Sequence, residues 1–115
     1  MENRKIRGQK GEEMAVLFLK RIGFQIIALN WRCKNLEVDI IAMDGEMLVF
    51  VEVKYRSSGN YGDHRDLIGT QKMHALFRAA QAYLEESTYE GEIRFDVVCF
   101  VDNKLNYIKD AFWKY

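Results

Sequence analysis

Proline is missing from the chain, and there are only two cysteines and two histidines in 115 residues. Without proline, glycines and polar clusters must mark the boundaries between elements. Cys33 and Cys99 are too few for a disulfide framework and lack the paired spacing of a zinc site, so they read as small buried hydrophobes. His64 and His74 belong to no ligand-like constellation. Neither sign of charge is in excess, with 17 basic residues against 17 acidic ones. That balance excludes the global positive field of a nucleic-acid coat protein and confines any polyanion contact to local patches. No stretch approaches the roughly 18 apolar residues of a membrane span, and the opening "MENRKIRGQKGEE" is polar where a signal peptide would be apolar. The expectation is a soluble, cytoplasmic protein with no membrane partner. Repeats, low-complexity tracts and linkers are also missing, and 49% hydrophobic residues suit one domain over residues 1–115 with a single core.

Seven elements can be read from periodicity. "GEEMAVLFLKRI" (residues 11–22) consists mostly of good helix formers and stops at Gly23, a suitable left-handed cap. "FQIIALNWR" and "EVDIIAMD" read as strands joined by "CKN", and Asp44-Gly45 is a hairpin signal ahead of a third strand, "MLVFVEVKY". The polar "RSSGNYGDHRD" follows as a loop. Thr70 is placed to cap a helix reaching about Glu86, with Met73, Leu76, Phe77, Ala80 and Leu84 as its buried stripe. "EIRFDVVCFV" is a fourth strand, the Asp102-Asn103 turn leads to a fifth around "KLNYI", and "DAFWKY" closes the chain. The expected class is α/β: a central mixed five-stranded sheet flanked by helices, in the order α-β-β-β-α-β-β.

Three charged residues stand inside this hydrophobic pattern. On the third strand, Glu52 and Lys54 share one face, while Val49, Val51, Val53 and Tyr55 share the other. A two-residue hairpin loop places Asp39 on the face of Glu52 and Lys54, and a Gly45-Glu46 loop sets it directly opposite Glu52. The other face then collects Val38, Ile40, Ala42, Val49, Val51 and Val53 as the main core. Glu12 lies on a helical stripe with Ala15, Val16 and Leu19, and so points toward the same region.

Two adjacent carboxylates on a partly buried sheet repel unless a cation lies between them. A hard divalent ion suits all-oxygen ligands, so Mg2+ or Mn2+ held by Asp39, Glu52 and the Val53 carbonyl is the expected cofactor. Lys54 beside it could orient a water, lower its pKa and offset charge on a phosphate oxygen, with Glu12 ordering a metal-bound water or contributing to a second ion. Arg7 and Lys10 (next to Arg4 and Lys5), then Arg56 and Arg65 around the loop, form local basic patches suited to a phosphate backbone. Charged residues paired across strands in a plain ion-pair network are the structural alternative.

The segments "GQKGEEMA", "ALNWRCKNLEVDII", "LVFVEVKYR", the lysine-bearing start of the second helix, "RFDVV" and "DAF", in this order, resemble the YraN-type bacterial proteins of the PD-(D/E)xK nuclease superfamily, which is distantly similar to archaeal Holliday junction resolvases. The resemblance covers nearly the whole chain. It implies a restriction-endonuclease-like core and a metal-dependent endonuclease acting on DNA, with branched or structured DNA as the suggested form. The motif falls on Glu12, Asp39, Glu52 and Lys54, with Gly62 and Lys72 as weaker matches implied to contact substrate. A non-catalytic nucleic-acid-binding module on the same fold is the alternative. Paired cuts would suit a homodimer, although the chain displays no dimer seam. One departure is local: the family pattern reads Gly-Glu-Ile-Asp, and Leu36 and Val38 replace its glycine and isoleucine.

Overall fold

The computed structural model describes residues 4–56 and 68–113, with side chains described from Gln9 onward. Among the described residues the chain forms α1 (Arg4–Arg21), β1 (Gln25–Cys33), β2 (Leu36–Asp44), β3 (Met47–Arg56), α2 (Thr70–Glu85), β4 (Ile93–Val101) and β5 (Lys104–Ile108). The expected order α-β-β-β-α-β-β holds. The sheet runs β1-β2-β3-β4-β5, antiparallel at every step except the parallel β3–β4 pair, which α2 connects. No described helix is long and apolar enough to cross a membrane.

Local chemistry sets most boundaries. Gly23 ends α1 at φ +101°, in the left-handed region that glycine enters cheaply. The β2–β3 hairpin closes through Gly45-Glu46, because Asp44 pairs with Met47 and the ladder runs back to Ile40 opposite Val51. Asp102 and Asn103, both at positive φ, make the two-residue turn before β5. Two boundaries differ from expectation. α1 begins at Arg4, well ahead of residue 11. Gly69, extended at φ −71° and ψ 162°, is the N-cap of α2, so Thr70 is already its first helical residue and forms no side-chain cap.

Each face of the sheet buries its own core. Under α1 lie Ala15, Leu19, Phe24, Ile40, Ala42, Val49, Val51, Val98 and Phe100. Under α2 lie Ile41, Leu48, Phe50, Phe95 and the helix's own Leu76, Ala79 and Ala80, with Phe77 and Leu84 packed alongside and Met73 in a smaller cluster with Ile68, Val97 and Cys99. Phe112 closes the α2 side, its ring stacked on Phe95 at 5.2 Å. Val38 corrects the expected face assignment: it packs with Ile41 on the α2 side and not with Ile40. Strict alternation would keep residues 38 and 40 together. It fails because the residue between them, Asp39, is paired in neither the β1–β2 nor the β2–β3 register. Leu36 is accommodated without strain; it is not at positive φ and packs against the α2-side core.

The α1 side also buries a charged group that the apolar pattern does not announce. Asp96 is fully buried and accepts four hydrogen bonds: from Arg94 Nε at 2.9 Å, Arg94 Nη2 at 2.9 Å, the Tyr107 hydroxyl at 2.6 Å and the Asp110 N–H at 2.9 Å. Arg94 Nη1 reaches Asp44 Oδ2 at 3.0 Å, and its guanidinium lies 5.8 Å from the Phe24 ring centroid. Every oxygen of Asp96 is thereby supplied with donors, as a buried carboxylate requires.

Candidate functional site

Asp39 occupies an interruption in the sheet. In the β1–β2 register, Leu29 faces Ile40 and Trp31 faces Val38, leaving Asn30 and Asp39 unpaired between them. The β2–β3 ladder likewise stops one step short, at Ile40 opposite Val51. One further step would set Asp39 beside Glu52, as the Gly45-Glu46 loop requires. The Asp39 side chain fills the break by accepting the Val53 N–H on Oδ2 at 2.8 Å. In an antiparallel ladder the N–H and C=O of one residue face the same neighbour, so the Val53 carbonyl is directed to the same side.

Glu52 is 5% exposed and shares a side-chain hydrogen bond with Asp39. Two cations approach its Oε2, Lys72 Nζ at 3.7 Å and Lys54 Nζ at 4.0 Å. These contacts are too long to compensate for burial. Desolvation first, and then the Asp39 charge, push the Glu52 carboxyl up to about 7, with Lys72 and Lys54 opposing. Asp39 is also raised, chiefly by burial and then by Glu37, against the Val53 N–H, Lys72 and the bond to Glu52. Burial and mutual repulsion therefore favour a protonated pair over two adjacent charges.

Glu12, on α1, comes near enough to Asp39 to feel its charge. Its carboxyl is raised by partial burial and then by the Asp39 and Glu37 charges, while a hydrogen bond from Asn30 opposes the shift. Gly11 lets the helix come this close: a Cβ there would meet the Tyr55 ring at 2.5 Å and its hydroxyl at 2.8 Å. Neither helix carries an acid in its first turn, and α2 carries no base in its last turn. Acids at N-termini and bases at C-termini would suit the helix dipoles better, so Lys72 adds positive charge to an end that is already positive.

Of the residues singled out from sequence, the structure gathers Asp39, Glu52, Lys54, Lys72 and the Val53 backbone, with Glu12 alongside. Lys10 is exposed on α1. Arg56 ends β3, near enough to Cys99 for its charge, like that of Lys54, to be felt there. The Arg7 side chain, together with Gly62, His64 and Arg65, lies outside what is described. His74 is exposed on α2, its ring 6.2 Å from that of Phe77. Among the described residues, no three Asp, Glu, His or Cys side chains converge as a ready-made metal cluster. Cation ligation would thus rest on two carboxylates and backbone or water oxygens, the usual poverty of protein ligands at magnesium. Asn30 is the participant that sequence reasoning missed. Its one signal was a strand-averse residue in the middle of an apolar strand.

A family model described as Uncharacterised protein family UPF0102 matches residues 11–100. The chain belongs to the UPF0102 family. Similar UPF0102 proteins include one from Janthinobacterium sp. (strain Marseille), 40% identical over 108 residues that cover 94% of this chain and 88% of that one. Another, from Christiangramia forsetii, is 38% identical over 110 residues covering 92% of each. A third, from Nitratidesulfovibrio vulgaris (strain DP4), is 41% identical over 117 residues, covering 97% of this chain and 87% of the relative. The UPF0102 match begins at Gly11, so it takes in the Tyr55 contact, Glu12, the Asp39–Glu52 pair, Lys54 and Lys72.

Proposed function

We propose that this UPF0102 protein is a metal-dependent endonuclease that hydrolyses phosphodiester bonds of DNA, with branched or structured DNA as its substrate. The observation that carries this reading is the buried Asp39–Glu52 pair, placed at a break in the sheet and flanked by two lysines. A buried acid pair costs stability when ionised, and a fold without use for it would replace or fully pair it. The donor chemistry fits a hard ion: two carboxylates and the Val53 carbonyl would hold Mg2+ or Mn2+. Bound there, the ion would supply Lewis acidity and neutralise charge on a phosphate.

The chain's own groups account for the rest. Lys54 Nζ orients the attacking water and hydrogen-bonds the phosphate oxygen on which charge accumulates. Glu12 accepts the proton that the water loses as its oxygen bonds to phosphorus, and the opposite P–O bond breaks as a solvent water protonates the departing alkoxide. Lys72, at the α2 N-terminus, and Lys10 hold the flanking phosphates, so that the local field compensates for the chain's zero net charge. Arg7, Arg56 and Arg65 extend the same backbone contact. Two copies of the chain would provide the paired cuts that a branched substrate needs.

Incubation of the purified protein with plasmid, single-stranded and four-way-junction DNA, with Mg2+ or Mn2+, tests this reading. Metal-dependent cleavage lost in Asp39→Ala and Lys54→Ala is the expected result, and cleavage unchanged in either variant would sink it. The balanced charge keeps a non-catalytic binding module in view. Calorimetry that detects DNA binding, steeply weakened by salt, but no heat with either metal would favour that module instead.

A further inference from the structure

The two lysines beside the acid pair aim at one atom. Lys54 Nζ lies 4.0 Å and Lys72 Nζ 3.7 Å from the same Glu52 oxygen, Oε2. They reach it from different supports. Lys54 is two residues along β3 from Glu52, so strand geometry alone keeps it on that face. Lys72 is the third residue of α2, where the first turn carries no acid and the Gly69 N-cap makes no side-chain bond. A cation is least favourable at that end of a helix, so the helix does not explain its presence and the buried Glu52 carboxylate does.

Neighbouring Met73 fixes where Lys72 stands. Its N–H donates to the Gly69 carbonyl at 3.0 Å, and its side chain packs with Ile68, Val97 and Cys99. Val97 and Cys99 are the β4 partners of Glu52 and Lys54. The α2 N-terminus is thereby pinned beside those two residues, while the Lys72 side chain, 40% exposed, keeps a flexible four-carbon stem. A fixed base and a movable head suit a charge that changes partners.

We propose that Lys72 is an exchangeable counter-ion: its ammonium keeps the place beside Glu52 Oε2 until a divalent cation engages the two carboxylates, and it then turns outward to a phosphate of the DNA. This rests on the nuclease reading and deepens it, by making metal uptake the event that frees a substrate contact. Like charges a few ångströms apart repel, so the ammonium and a divalent ion do not share one oxygen. Lys54, less exposed and fixed on the strand, stays with the site. Because linkage is reciprocal, DNA that captures the released ammonium also tightens metal binding.

Acetylation of the protein by limiting acetic anhydride, followed residue by residue by mass spectrometry, reads the exchange directly, with exposed Lys20 on α1 as the internal reference. Saturating Mg2+ should raise the Lys72 rate about three- to tenfold relative to Lys20 in the wild type. Glu52→Gln should show the raised rate without metal and no response to it. A lysine that only balances charge in place would keep one rate throughout. An unchanged Lys72 rate while calorimetry detects bound Mg2+ or Mn2+ would overturn the exchange and leave the nuclease reading standing. If calorimetry detects uptake of neither metal, the nuclease reading has failed and the exchange falls with it. Lys72→Met supplies the second arm: it should bind Mn2+ about three- to tenfold more tightly than the wild type without DNA, and lose the further tightening that cleavage-resistant phosphorothioate DNA gives the wild type. Tightening by that DNA to the wild-type extent in Lys72→Met would count against the exchange.

Discussion

Arg94-x-Asp96 on β4 and Glu52-x-Lys54 on β3 are the same pattern in sequence, opposite charges two residues apart on one face of a strand. In space they are opposites. Arg94 and Asp96 meet in two parallel bonds of 2.9 Å, and Tyr107 and the Asp110 N–H take the remaining valences. Glu52 meets Lys54 only at 4.0 Å and Lys72 at 3.7 Å, and the charge of another acid, Asp39, acts on it as well. Burial is alike, with Asp96 fully buried and Glu52 nearly so. What separates a structural charge from a chemical one here is satisfaction, not depth. The first cluster holds the hairpin end of the sheet together, and on the proposed nuclease reading the second is the one that a bound cation would complete.

The sharpest way to break that comparison is to make the satisfied cluster unsatisfied. Arg94→Met should leave Asp96 buried without its main donor and cost about 3–5 kcal/mol, read as a lower denaturant midpoint. A loss below about 1 kcal/mol would mean that the Arg94–Asp96 pair contributes as little as an exposed one.

Next comes pH. The folded Glu52 carboxyl titrates near 7 against 4.5 in its ordinary state, so between those values the native state holds more protons than the unfolded one. Stability should therefore fall as pH rises from about 4.5 to about 7 and stay low above that, by an amount on the order of 3 kcal/mol. Glu52→Gln should flatten this slope and raise the melting temperature at pH 8 while removing cleavage. A slope unchanged in the variant would show that the acid pair does not carry it. Mn2+ should raise the melting temperature of the wild type at pH 8 and leave Glu52→Gln unmoved.

Gly11→Ala is a smaller perturbation. Its new methyl group must displace the Tyr55 ring, at about 1–3 kcal/mol and with a drop in cleavage as Glu12 shifts. Loss of stability with full activity would uncouple the helix seat from the site. Smallest of all, Lys72→Ala should change stability by less than about 1 kcal/mol, since its side chain is 40% exposed, yet it removes a charge that holds the Glu52 carboxyl down. Its effect is best read as weakened DNA binding and a reduced salt dependence.

The sequence made the fold legible wherever one local rule decided the outcome. Asp44-Gly45 announced the hairpin, the parity of Glu52 and Lys54 announced the face, and the spacing from Met73 to Leu84 announced the side of α2 that packs. It fell short where a residue's neighbour in space overrode its neighbour in sequence. Val38 changes face because Asp39 bonds a backbone N–H in place of a strand partner, and Asn30 allows this by leaving the extended conformation. No alternation rule contains that pair of departures. Arg94 and Asp96 remained equally hidden, since their pairing depends on Tyr107 and Asp110, which only the β4–β5 hairpin brings close.

Strand order in this sheet follows chain order, and that has a bearing on how the molecule assembles. The β1–β2–β3 meander needs only short-range contacts, whereas the parallel β3–β4 pairing must wait for the whole intervening segment and α2 to be placed. Asp39 and Glu52 meet within the early meander, and Lys72 arrives only with the late crossover. The folding chain is thus expected to face carboxylate repulsion before its compensating cation is in reach. Refolding followed by stopped-flow fluorescence should accordingly be faster at mildly acid pH, or with Mn2+ present, than at pH 8 without metal, and Glu52→Gln should erase the difference.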